Sequence, residues 1–66
     1  MPADDSRTEQ QIIAAAFEDR IREVFRIFAE AVYTGEPERD ATARFRRALI
    51  SAKRVRDMAI EAAKDE

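Results

Sequence analysis

The sequence predicts an all-α fold, a two-helix antiparallel hairpin that dimerises into a four-helix bundle. Three observations lead there. First, helix breakers are nearly absent: the 66 residues hold one glycine, Gly35, and two prolines, Pro2 and Pro37, so nothing interrupts a helix within residues 7 to 33 or 41 to 64. Second, apolar residues recur at alternating steps of three and four in both halves of the chain. Third, a chain this short buries only about 60% of the surface its unfolded form exposes, and a core that small needs reinforcement. The absence of cysteine removes disulfides and zinc thiolates, and the absence of histidine removes the commonest metal ligand. A second copy of the chain is the reinforcement that remains.

The elements follow in order within one domain, residues 1 to 66. Residues 1 to 6, MPADDS, are polar and acidic and are expected to form a flexible N-terminus. They lack the basic start and apolar run of a secretory signal, and no apolar stretch approaches membrane-spanning length, so a cytoplasmic location is expected. Ser6 followed by Glu9 fits a capping box, in which two side chains satisfy free amides at a helix start. Helix 1 is therefore placed at about 7 to 33. Within it Ala14, Phe17, Ile21, Val24, Phe28 and Ala31 form a seam, flanked by Ile13, Phe25, Ile27 and Val32. At 100° per residue this set covers an arc of roughly 160°, wider than one partner helix requires. Helix 1 is expected to touch more than one neighbour.

The pattern stops at residues 34 to 37, TGEP. Gly35 can take a left-handed conformation just past a helix end, and Pro37 suits the first turn of the next helix. Helix 2 is placed at about 38 to 64, with Glu38 near the positive end of its dipole; a rival start has Asp40 as the cap. Ala41, Phe45, Ala48, Ala52, Val55, Ala59 and Ala62 repeat the steps of four and three with smaller side chains, which let helix axes approach closely. Leu49, Ile60 and Ala63 widen that face on one side and Met58 lies toward the other. Arg56 falls near its middle and needs an acidic partner or a stem that reaches water. Phe17, Ile21, Val24, Phe25, Phe28, Phe45, Ala48, Leu49, Ala52, Val55 and Ala59 are the expected core and dimer residues.

Charge is abundant but nearly balanced: 14 acidic against 12 basic residues, a net of -2. Residues 44 to 56, RFRRALISAKRVR, nevertheless hold six cations and no acid, whereas residues 1 to 33 carry seven acids and four bases. On the helix wheel the six cations scatter: Arg46 and Lys53 on one side of the apolar stripe, Arg47 and Arg54 near the back, Arg44 on the other border and Arg56 inward. A nucleic-acid helix more often gathers them on one face. The expected use of the run is to match the acidic first helix and so code which helices pair.

No enzyme is expected. Without histidine or cysteine the few serines and threonines lack a base, carboxylate pairs such as Asp19 with Glu23 and Asp57 with Glu61 lack the Glu-x-x-His companion of di-iron bundles, and one glycine cannot build a phosphate loop. No cofactor, metal, small-molecule substrate or membrane partner is expected. The functional expectation is a homodimer that acts on another protein as an adaptor, anti-activator or inhibitor, through Tyr33, Arg39, Arg46, Arg47, Ile50 and Arg54. Ile50 among arginines has the anchor-and-rim composition of protein-binding surfaces. The alternatives are an RNA- or DNA-binding hairpin dimer that uses the basic face of helix 2, and a structural or assembly subunit.

Overall fold

Two helices, α1 (Glu9–Tyr33) and α2 (Glu38–Lys64), lie against each other across a four-residue turn in the computed structural model, which describes residues 8 to 64. There is no strand among the described residues. The Cα atoms extend 46 Å along the long axis and 9 Å through the thin one, so the hairpin is a single layer of helices. None of the described helices is long and apolar enough to cross a membrane.

The start of α1 differs from the expectation. A capping box is present, but Thr8 is its cap: the Gln11 amide donates to Thr8 Oγ1 at 3.1 Å, and the Thr8 amide donates to Gln11 Oε1 at 2.9 Å. A hydroxyl followed three residues later by an acid or amide occurs twice in a row here, and the second copy starts the helix. The expected Ser6 cap and flexible residues 1 to 6 lie outside the described residues.

The other end of α1 closes as a Schellman motif. The Glu36 amide donates to the Ala31 carbonyl at 3.0 Å and the Gly35 amide to the Val32 carbonyl at 3.1 Å. Gly35 sits at φ 94°, the left-handed region in which a Cβ is unfavourable, as its place after the helix predicted. The Thr34 hydroxyl adds a bond to the Ala31 carbonyl at 3.1 Å. Helix α2 then begins at Glu38, with the Pro37 carbonyl accepting from the Ala41 amide at 3.0 Å, so Asp40 lies inside the first turn and is not the cap.

Small residues let the layer close. Val24 of α1 and Ala41 and Ala52 of α2 are the buried core. Around them Phe17, Ile21, Phe28, Phe45, Ala48, Leu49 and Ala59 are half-buried. Phe28 and Phe45 meet near the turn, ring centroids 4.7 Å apart and tilted by 31°, a geometry aromatic rings favour. Six expected seam or flanking residues are exposed instead: Ala14, Phe25 and Ile27 on α1, Val55, Met58 and Ala62 on α2. One neighbouring helix covers only part of a 160° arc, and these positions fall outside the covered part.

Candidate functional site

Because the hairpin is one layer thick, each helix presents two flanks, and the molecule has two broad faces. On the first face a groove of about 350 Å³ runs between Ile13, Ala16 and Phe17 of α1 and Ala48, Val55 and Ala59 of α2. A second hollow of about 360 Å³ shares Arg20 and Ala48 with it and continues to Ile27, Ala41 and Arg44 toward the turn. The two form one apolar trough along the hairpin. Its floor is low because Ala16, Ala48, Ser51, Ala52 and Ala59 are small. On the opposite face Phe25, Phe28, Val32 and Tyr33 border a smaller hollow with Glu38 and Thr42 at the turn end.

The cation near the middle of the apolar face of α2 is accommodated as its position required. Arg56 is half-buried, places its guanidinium 4.6 Å from the centre of the Phe17 ring, and donates from Nε to Asp57 Oδ1 at 3.1 Å. A cation over an aromatic face contributes about 0.5–1 kcal/mol where exposed and more where water is excluded. Arg20, in the trough wall, is likewise matched by Glu23 at 3.1 Å.

Sequence reasoning missed the strongest ion pair. Arg44 grips Glu36 with both arms of its guanidinium: Nη2 donates to Oε1 at 2.7 Å and Nη1 stands 2.6 Å from Oε2. Such forked pairs are the strong class of charge-assisted hydrogen bond. Hydrogen bonding from Arg44 holds the Glu36 carboxyl below its ordinary value, against desolvation, which acts the other way; the Arg44 charge adds to the lowering. The Arg44 guanidinium is raised in return by the same hydrogen bond and the Glu36 charge. Since Glu36 also closes the Schellman motif, this pair ties the end of α1 to the second turn of α2. A separation of eight residues across a turn has no periodic signature in the sequence.

The expected pairing code between the helices is not what the cations do within one hairpin. The ion pairs inside α1 and α2 are local, Arg22 with Asp19 at 2.9 Å and Lys64 with Glu61 at 4.0 Å among them, and none among the described residues joins α1 to α2. Arg39, Arg46, Arg47, Lys53 and Arg54 form no ion pair with a described residue. These side chains are exposed, Arg47 on the rim of the trough and Lys53 and Arg54 beside Ile50. The helices keep opposite net charges: α1 has five acids and three bases (-2), α2 four acids and eight bases (+4).

No family model matches the chain, and no curated protein or solved structure matches it significantly. Its function therefore has to be argued from these surfaces. The six expected partner-binding residues are all exposed, but they do not form one patch. Arg39, Arg46, Ile50 and Arg54 follow the outer side of α2, where Ile50, 60% exposed, borders a shallow hollow with Lys53, Arg54, Asp57, Met58 and Glu61. Tyr33, 84% exposed, belongs to the turn end of the second face, and Arg47 to the rim of the trough.

Proposed function

We propose that the chain is a small interaction protein: two copies pair as a four-helix bundle, and the surface outside the pair occupies a site on a partner protein, as an adaptor, anti-activator or inhibitor does. The observation that carries this reading is the amount of large apolar side chain outside a hairpin that buries three of its described residues. Phe25, Ile27, Ile50, Val55, Met58 and Tyr33 are each more than half exposed. Scattered apolar residues are ordinary on a monomer, whereas these include Ile27 and Val55, which belong to the apolar seams of both helices. Covering a residue of this kind contributes about 1–2 kcal/mol when it begins half-exposed, given about 1.5–3 kcal/mol for complete burial.

Ile50 with Arg46, Lys53 and Arg54 is the surface proposed for the partner, because it faces away from α1 and from both broad faces. Its composition, one apolar anchor rimmed by cations, suits a partner with an apolar pocket edged by acids. The test is capture of partners from the native host's lysate by tagged chain, treated with nuclease and washed at moderate salt, beside Ile50→Asp. A discrete protein kept by the unaltered chain and lost by Ile50→Asp is expected; equal retention by both rules this surface out.

One observation favours a second reading. Five cations of α2 without ion pairs among the described residues are also what a nucleic-acid backbone would neutralise. That reading predicts binding to RNA or DNA that weakens steeply with salt and disappears when Arg47 and Arg54 are reversed to Glu with helicity unchanged. Binding that ignores salt and survives the reversals ends it.

A further inference from the structure

We infer that the trough on the Ile13–Ala59 face is the seat of the second copy, and that the two hairpins stack there with their turns at the same end. This rests on the homodimer reading and adds to it the face, the direction and the register. The face is selected by shape. The trough spans residues 13 to 28 of α1 and 41 to 59 of α2, its small residues permit close approach of another helix, and Val55 and Ile27 line its two walls. Of the four cations that line it, Arg20, Arg44 and Arg56 already have Glu23, Glu36 and Asp57, and Arg47 on the rim is the one without an ion pair among the described residues.

The direction is selected by charge. A face-to-face pair related by a two-fold axis has two arrangements. With the turns at opposite ends, α1 lies on its own copy and α2 on its own copy, so -2 meets -2 and +4 meets +4. With the turns at the same end, α1 of each hairpin lies on α2 of the other, so a helix of net charge -2 meets one of +4 on both sides of the pair. The register agrees. Glu23, one turn from both Arg20 and Ile27 on the trough edge, is ten residues before the end of α1 (33 - 23 = 10), and Arg47 is nine residues after the start of α2 (47 - 38 = 9). At equal rise per residue the two stand at nearly the same height above the turn, and stacking brings each Glu23 to the Arg47 of the other copy. Arg47, which forms no ion pair with a described residue of its own hairpin, thus meets an acid in the pair.

The experiment is sedimentation equilibrium at micromolar concentration on the full chain and four variants, with helicity checked for each. The unaltered chain is expected at twice its 7.6 kDa mass. Val55→Asp, at a residue 64% exposed in the hairpin, should stay helical and weaken association at least tenfold, while Phe25→Asp on the opposite face should leave it unchanged. Glu23→Arg and Arg47→Glu should each weaken self-association several-fold, and an equimolar mixture of the two should recover it, because only the mixed pair places opposite charges at both sites. A dimer broken by Phe25→Asp and not by Val55→Asp overturns the face, and a mixture that fails to recover overturns the direction; both outcomes leave the homodimer reading standing. A fully helical monomer of the unaltered chain overturns both.

Discussion

Replacing Gly35 isolates one physical effect from all others. Its φ of 94° lies where an L-residue's Cβ crowds the following carbonyl, yet a Cβ built at this position meets nothing within 4 Å. No clash with the rest of the fold contributes, so the cost of Gly35→Ala is the backbone cost alone, about 1–2 kcal/mol. Against this stands the smaller conformational freedom of alanine in the unfolded chain, about 0.4–1 kcal/mol in favour of the variant. The net expectation is a loss of roughly 1 kcal/mol. A chain of 66 residues is within reach of chemical synthesis, and D-alanine in place of Gly35 reverses the first contribution while keeping the second. The chain carrying the D-residue should therefore be more stable than the natural one by a few tenths to about 1 kcal/mol. Urea unfolding followed by helical circular dichroism, at one fixed chain concentration, measures both. Equal midpoints for the L- and D-alanine chains would refute the argument, because they would mean that the turn does not hold residue 35 at positive φ.

Other expectations follow from the same structure. Thr8→Ala removes the hydroxyl that accepts the Gln11 amide and should cost about 1 kcal/mol, seen as faster amide exchange confined to the first turn of α1. Phe28→Ala and Phe45→Ala should each destabilise the hairpin, and a double-mutant cycle should return a coupling of about 0.5–1.5 kcal/mol; additive losses would show that the rings do not meet. The Glu36 carboxyl is depressed in the folded state, so its stabilising contribution is complete above its ordinary value of 4.5 and disappears as pH falls through the lower folded value. Stability should decline over that acidic range, and Glu36→Gln should be less stable at neutral pH and flatten the decline, read by urea midpoints across pH. An unchanged slope in the variant would remove Glu36 as its source.

The parts of this fold legible in the sequence are those marked by residues with one physical use. Gly35 and Pro37 located the turn and the start of α2 because few other residues favour those backbone states. The three-and-four spacing located Phe17, Val24, Phe28, Phe45 and Ala52 between the helices. It also placed Arg56 among them with its need for compensation. Where two residues serve equally, the sequence was ambiguous: Ser6 with Glu9 and Thr8 with Gln11 have the same capping chemistry, and the second box forms. A helix wheel gives the width of an apolar arc and leaves open which part the neighbour covers, so Phe25 and Val55 were grouped with the core although both are exposed. The Glu36–Arg44 fork was illegible because it depends on how the Schellman turn aims one side chain. The charge code was legible in sign and misplaced in location: α1 is acidic and α2 basic, yet among the described residues no ion pair joins the two helices inside one hairpin.

The central claim is that two hairpins stack through the trough with their turns together. It is tested most directly by the distance between nitroxide labels on Thr34→Cys, measured by double electron–electron resonance; the chain has no other cysteine. Stacking with the turns together predicts a separation of no more than about 25 Å, two neighbouring helix widths plus the label arms. A distance near 40 Å or beyond, roughly the length of a 27-residue helix at about 1.5 Å per residue, would contradict the arrangement. No measurable dipolar coupling in a fully helical sample would contradict the pairing itself.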